Sequence, residues 1–74
     1  LDELVDYKAE FERLTKEKAR LENEVKRVQG MLSNPGFVNK APAAKIEEEK
    51  EKMVKYKDML EKVTSRLALI SKKL

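Results

Sequence analysis

The apolar residues of this chain recur every three and four positions over two long stretches, the heptad pattern of helices with one buried seam. In the first stretch, seam positions a and d hold Leu4, Tyr7, Phe11, Leu14, Lys18, Leu21, Val25, Val28 and Leu32. In the second stretch, they hold Ile46, Glu49, Met53, Tyr56, Leu60, Val63, Leu67, Ile70 and Leu74. Only Lys18 and Glu49 interrupt the apolar pattern. So long a seven-residue repeat requires a partner helix and predicts a left-handed supercoil.

Residues 32–42 lie between the two stretches and lack helical periodicity. Asn34 precedes a proline, which disfavours helical geometry at Asn34. Pro35-Gly36 fits a turn in which glycine takes the position that needs a positive φ. Pro42 suits the first turn of a new helix, where its missing N–H costs nothing. The predicted elements are a first helix over about 2–32, a connecting loop over 33–42 and a second helix over about 43–73.

An antiparallel hairpin is the simplest way for two helices joined by a short link to cover each other's seam. If the chain folds back near residue 37, facing residues have numbers that sum to about 74. The apolar layers are then Leu4 with Ile70, Phe11 with Val63, Leu14 with Leu60, Leu21 with Met53, and Val28 with Ile46. The exceptions pair as Lys18 with Tyr56 and Glu49 with Val25. We therefore predict an all-α fold, a single domain over residues 1–74 built as an antiparallel coiled-coil hairpin.

The composition suits this narrow seam better than a globular core, since 42% of the residues are charged and only 5% are aromatic. The absence of Cys and His excludes disulfides and metal sites built from those residues. No apolar run reaches the roughly 18 residues of a membrane span, and no signal peptide is visible. The chain begins at Leu1 rather than Met, which indicates a piece of a longer protein.

Catalysis requires a positioned base, nucleophile or metal. The three serines have no base partner, and adjacent glutamates at 47–49 point in different directions on a helix. We interpret these glutamates as a charge cluster that favours the helix start. The sequence therefore predicts no enzyme activity and no cofactor for this chain.

The net charge of +3 is unevenly distributed, with eight basic and three acidic residues from Lys50 onward. Arg13, Arg20 and Arg27 share heptad position c of the first helix and form a stripe about 21 Å long. Such arginines suit phosphate contacts. The candidate phosphate-binding residues are Arg13, Lys16, Arg20, Arg27, Lys40, Lys55, Lys62 and Arg66. The other interpretation is that these cations pair with Glu17, Glu24, Glu51 and Glu61 and keep the rod soluble.

The segment between the helices also has a distinctive sequence motif. It reads Leu32-Ser33-Asn34-x-x-Phe37-Val38-x-Lys40-Ala41-Pro42, followed by Ile46-x-x-Glu49-x-x-Lys52. This motif resembles that of the C-terminal coiled-coil arm in the valyl-tRNA synthetase family. The likeness covers essentially the whole chain, and its specific part is the loop signature Ser33, Asn34, Phe37, Lys40 and Pro42. The departures are Pro35, Gly36, Ala43, Ala44 and Lys45, which make the tip slightly more basic.

The resemblance implies a non-catalytic arm of a cytoplasmic, ATP-dependent valine–tRNA ligase. In that family the arm reaches the outer corner of tRNA(Val), where the D- and T-loops meet, and orients the tRNA for aminoacylation. The implied partners are tRNA(Val) and the rest of the parent synthetase, with no membrane and a monomeric fragment. The loop motif does not identify which basic residues contact RNA, so the candidate phosphate-binding residues rest on charge and spacing.

Two further interpretations remain open at this stage. The chain could be a structural or protein-interaction hairpin that dimerises through Met59 and Leu69 without binding nucleic acid. A DNA-binding hairpin appended to an ATPase ranks third, because it would lack the loop signature. For the tip, we expect Phe37 to close the end of the hairpin, with stacking on an RNA base as the alternative, and Lys40 to be exposed.

Overall fold

The computed structural model describes residues 6–74 and contains three helices in that range, with no strand. They are α1 (Tyr7–Leu32), α2 (Pro35–Lys40) and α3 (Ala43–Ser71). The two long helices pack along each other in a rod that measures 54 × 16 × 14 Å. The predicted start of the first helix at residue 2 and the layer of Leu4 with Ile70 lie outside the described residues. The all-α prediction is confirmed for residues 6–74.

The start and end of α1 are set by local hydrogen bonds. The Asp6 carboxylate accepts a hydrogen bond from the backbone N–H of Ala9 at 3.0 Å, which caps the helix. Glu10 lies in the first turn, where the helix dipole favours a negative charge. At the other end, the Ser33 N–H donates to the Gln29 carbonyl at 3.0 Å.

The link between the long helices contains a short helix rather than a glycine turn. The Asn34 side chain accepts a hydrogen bond from the Gly36 N–H at 2.9 Å, and Pro35 occupies the first helical turn. Asn34 therefore acts as an N-cap and Pro35 as a residue that tolerates the missing donor. No described glycine has a positive φ, so the prediction of a turn with positive φ at Gly36 is wrong. The cap and the proline together start a helix at this point.

The predicted seam forms the core of the rod. Every a and d position from Tyr7 to Ile70 is buried or half-buried. The buried seam side chains are Leu14, Leu21, Val28, Glu49 and Ile70, and all of these except Leu14 are fully enclosed. Leu74, a predicted seam residue beyond the end of α3, is 67% exposed. The heptad interpretation is therefore confirmed from residue 7 to residue 70 and is wrong for Leu74, which lies beyond the end of α3 and stays exposed.

A contact between the long helices sets their relative placement. The Nε atom of Arg66, near the end of α3, lies 3.2 Å from the Glu10 carboxylate, near the start of α1. Residues of α2 connect the opposite ends, since α1 ends at Leu32 and α3 begins at Ala43. The beginning of the first long helix therefore lies beside the end of the second.

We predict that Leu21→Ala lowers the free energy of unfolding by about 2–5 kcal/mol, because it removes a fully buried side chain and leaves a cavity. Leu69→Ala is the matched control, since it makes the same chemical change at a side chain that is 55% exposed. Urea denaturation followed by circular dichroism measures both. Equal losses in the two variants would contradict the assignment of Leu21 to the core.

Candidate nucleic-acid interface

The arginine stripe of α1 lies directly beside a row of glutamates. Residues three apart are neighbours on a helix surface, and position g precedes position c by three residues. The Arg20 Nε donates to the Glu17 carboxylate at 3.2 Å, and its Nη2 donates to the other oxygen of that carboxylate. Arg27 contacts Glu24 in a similar way, but its Nε and Nη2 atoms both donate to one oxygen, Oε2, with Nη2 at 2.9 Å. Two of the three stripe arginines are therefore paired within their own helix.

Arg13 is the exception in the stripe. Its equivalent neighbour would be Glu10, but that carboxylate binds Arg66 of α3 instead. Arg13 consequently forms no salt bridge with any residue in the range 6–74. The contact between helices thus leaves one arginine of the stripe available for an outside anion.

The remaining candidate cations divide in the same way. Lys62 pairs with Asp58 at 3.0 Å, whereas Lys16, Lys40 and Lys55 form no salt bridge with the described residues. Glu51 and Glu61, which the solubility interpretation paired with these cations, make no salt bridge within residues 6–74. Four candidates are therefore paired and four are unpaired in the described part of the chain: Arg13, Lys16, Lys40 and Lys55 belong to the second group.

The arginine pairs keep their glutamates ionised. The hydrogen bond from Arg20 is the main cause that lowers the pKa of Glu17 below its ordinary value. The hydrogen bond from Arg27 likewise lowers the pKa of Glu24, with a smaller contribution from a hydrogen bond of Tyr56 on α3. Both carboxylates are therefore anions at neutral pH.

The arginine stripe of α1 and the lysine stripe of α3, formed by Lys55 and Lys62 at position c, lie on one side of the rod. Arg13 follows Glu10 by three residues and Lys62 precedes Arg66 by four, so both flank the contact between Glu10 and Arg66. Farther along, Tyr56 of α3 reaches Glu24 of α1. We call the c and g positions of α1 and α3 the basic face. Its cations are Arg13, Arg20, Arg27, Lys45, Lys52, Lys55, Lys62 and Arg66, and its acids are Glu10, Glu17, Glu24 and Glu48.

The b and e positions form the opposite face, which is electrically balanced. Its cations are Lys8, Lys26, Lys50 and Lys57, and its acids are Glu12, Glu22, Glu47 and Glu61. All eight are exposed. The positive excess of the long helices is therefore concentrated on the basic face.

Glu49 is a buried carboxylate that the sequence interpretation treated as an interruption of the seam and as part of a charge cluster at the helix start. It is 1% exposed, and its Oε1 atom lies 3.0 Å from the Lys45 ammonium and 3.2 Å from that of Lys52. Its Oε2 atom has no hydrogen-bond partner among the described residues. The hydrogen bond from Lys45 is the largest cause that lowers the pKa of Glu49. The spacing of lysines four before and three after a seam glutamate is the signal that predicts this cluster.

The loop signature residues have structural roles at the tip. Asn34 caps α2, and Pro42 occupies the N-cap position immediately before α3. Phe37 is half-buried, and Lys40 is exposed. Ser33 continues the hydrogen bonding of α1 through its backbone. Most of the signature therefore specifies how the chain passes from α1 to α3.

The described residues offer little for other kinds of site. Within residues 6–74, no group of three or more acidic, His or Cys side chains is placed to hold a metal ion. None of the described helices combines the length and apolar character needed to cross a membrane.

Comparison with known families decides what kind of rod this is. The family model of the valyl-tRNA synthetase tRNA-binding arm matches residues 6–71. The chain belongs to this family. The match spans all three helices and both faces, so the arrangement described above is that of a member of the arm family.

Curated relatives agree with the family assignment. The chain is 55% identical over 65 residues to a valine–tRNA ligase of Clostridium perfringens, a match that covers 88% of this chain and 7% of the relative. It is 50% identical over 68 residues to a valine–tRNA ligase of Clostridium acetobutylicum, covering 92% of this chain and 8% of the relative. The chain thus spans less than a tenth of these proteins. No solved structure matches it.

The buried cluster of Glu49 generates a prediction about pH. Because the folded-state pKa of Glu49 is lowered, its charge stabilises the fold above the unfolded-state pKa of about 4.3. This contribution is lost as pH falls through the folded-state pKa. We expect Glu49→Gln to be less stable than the parent chain at pH 7, and the difference to vanish in strong acid.

Urea denaturation at a series of pH values measures this difference. Glu12→Gln on the opposite face is the control, since Glu12 is exposed and makes no salt bridge within residues 6–74. A deficit of Glu49→Gln that stays constant from pH 7 into strong acid would assign the effect to packing and contradict the role of charge.

Proposed function

We propose that this chain is a non-catalytic tRNA-binding arm of a valine–tRNA ligase and that the basic face contacts the RNA. The observation that carries the proposal is the ion pair between Glu10 and Arg66. This contact places the arginine stripe of α1 and the lysine stripe of α3 on the same side of one rod. Membership in the arm family supplies the class of partner.

The arm is an antiparallel coiled-coil hairpin that forms a single unit over residues 1–74. Three observations support this arrangement: the start of α1 lies beside the end of α3, α2 joins the other two ends, and the heptad positions of both helices are buried against each other. In a parallel pair, by contrast, the ion pair would join residues at similar distances from the two helix starts. Glu10 and Arg66 lie near opposite ends.

The basic face suits a polyanion because its cations outnumber its acids two to one, whereas the opposite face is balanced. Lysine and arginine contacts to phosphates give binding that is largely independent of sequence and that weakens as salt rises. The arm therefore contributes affinity and orientation, and recognition of the amino acid and catalysis belong to other parts of the ligase.

The RNA contacted is the outer corner of tRNA(Val), where the D- and T-loops meet. The resemblance of the loop signature to the family supports this target, and the length of the rod, 54 Å, suits an appendage that reaches a remote part of a tRNA. The parent protein is an ATP-dependent valine–tRNA ligase of the cytoplasm.

Docking of a protein partner is less well supported by the surface. Met59 and Leu69 are 42% and 55% exposed, but the charged residues Lys62 and Arg66 lie between them on the basic face. Isolated apolar side chains are normal on a soluble surface and do not make a contiguous patch. We therefore propose that the arm is monomeric.

Reversal of the arginine stripe tests the proposal. In the full-length ligase, the triple variant Arg13→Glu, Arg20→Glu and Arg27→Glu is expected to raise the KM for tRNA about tenfold or more, since lost phosphate contacts and added repulsion both weaken binding. ATP–valine exchange, which does not use tRNA, is expected to stay unchanged.

The matched control reverses three cations of the opposite face: Lys8→Glu, Lys26→Glu and Lys57→Glu. This variant changes the net charge by the same amount at exposed positions, and we expect a much smaller change in KM. Unaltered tRNA kinetics in the arginine variant would refute binding through the stripe. Equal effects of the two triple variants would refute the assignment to one face.

A further inference from the structure

We propose that Glu17 and Glu24 compete with RNA phosphates for Arg20 and Arg27 and thereby hold the affinity of the arm below the value its arginines alone would give. This inference rests on the proposed function and adds a tuning device to the same surface. It assigns a role in binding to two acidic residues that a purely structural interpretation would count as helix-stabilising partners.

The geometry of the hydrogen bonds carries the first step. Glu17 accepts from both Nε and Nη2 of Arg20, so it occupies one edge of the guanidinium with both oxygens. Glu24 accepts from Nε at 3.3 Å and Nη2 at 2.9 Å of Arg27. A phosphate uses the same edge when it binds arginine through two parallel hydrogen bonds. The carboxylate must therefore leave before the phosphate can bind in this way.

Approach of a phosphate to the other edge of the guanidinium, on the Nη1 side, does not avoid competition with the glutamate. The Arg27 Nη1 lies 3.6 Å from the Met31 sulfur, which partly covers that end. A phosphate that approached Arg20 through Nη1 would sit close to the Glu17 carboxylate, and the two anions would repel each other. Because the arginine hydrogen bonds lower the pKa of both glutamates, this repulsion persists at neutral pH.

The exposure of the pairs sets the size of the effect. The Arg20 and Arg27 side chains are 54% and 48% exposed, and those of Glu17 and Glu24 are 32% and 29% exposed. Ion pairs this open to water are weak, so a phosphate is able to displace the carboxylate. We expect each pair to reduce affinity by about two- to fivefold, the range that the weakness of exposed pairs allows.

Arg13 provides a comparison within the same stripe. Its own position-g neighbour, Glu10, is bound by Arg66 at 3.2 Å, so no carboxylate occupies the Arg13 guanidinium among the described residues. Arg13 interacts with Glu17 only electrostatically, so a phosphate that binds Arg13 displaces no hydrogen-bonded carboxylate of the described residues. Replacement of Arg13 by Gln should weaken RNA binding more than replacement of Arg20 or Arg27 by Gln.

The test measures the affinity of the full-length ligase for its tRNA at fixed salt. The double variant Glu17→Gln and Glu24→Gln is expected to bind about four- to 25-fold more tightly, because the neutral amides neither compete with the phosphate for the arginines nor repel it as anions. The control is Glu12→Gln with Glu61→Gln, which changes the net charge equally at exposed opposite-face positions that make no salt bridge within residues 6–74. The control is expected to change affinity by less than about twofold.

A second arm of the test uses the background Arg20→Gln with Arg27→Gln. With the arginines absent, the gain from removing Glu17 and Glu24 should fall to the level of the control, since coupled residues are not additive. Weaker binding by the Glu17→Gln, Glu24→Gln variant would show that the carboxylates position the arginines and would overturn the proposal. Tightening equal to that of the control, or a gain that survives in the arginine-free background, would also overturn it.

Failure of this inference is distinguishable from failure of the proposed function. If the arm does not bind RNA, the Arg13, Arg20 and Arg27 reversal leaves tRNA kinetics unchanged, and no glutamate variant has an effect. If the arm binds RNA without carboxylate competition, the arginine reversal weakens binding while the glutamate variant behaves as its control.

Discussion

The apolar seam between α1 and α3 is the interaction on which the rest of this structure depends. Neither helix could bury its own apolar seam positions without a partner, and an isolated helix derives little stability from propensity alone. Once the two seams face each other, each remaining residue is fixed to one side of the rod. Side chains such as Leu21 and Val28 are enclosed, while the g positions of α1, one step from the seam, are half-buried and hold charges that can meet those of α3.

The charges beside the seam link the packing of the two helices to the charges that the rod exposes. Glu10 has two available cationic partners, Arg13 within its own helix and Arg66 across the seam, and it binds Arg66. This choice links the helix ends and at the same time leaves Arg13 without a salt bridge in the described range. Where no cation of α3 takes the glutamate, as at Glu17 and Glu24, the arginine three residues later does. One substitution on α3 would therefore alter the charge that α1 exposes.

Most of the fold could be predicted from the sequence, because heptad spacing is a local property of each helix. The seam was predicted correctly from residue 7 to residue 70, including both interruptions. The link was harder, since Asn34-Pro35 is compatible with a turn and with a capped helix start, and only the backbone geometry distinguishes them. The cluster around Glu49 was missed because each seam position was classified only as apolar or polar. That classification ignores the lysines one helical turn away. The candidate cations could be named, but their pairing states could not.

The sequence by itself determined the helices, the seam and the signature that relates the chain to synthetase arms, since all of these are properties of residue type and spacing. The tertiary structure decided which surfaces those residues form. Arg13 and Lys62 lie far apart in the chain, and only the packing of α1 on α3 brings their stripes to one side. The tertiary structure also decided which cations form salt bridges within residues 6–74. A salt bridge depends on which carboxylate is nearest in space, and the carboxylate that Arg66 binds comes from the other helix.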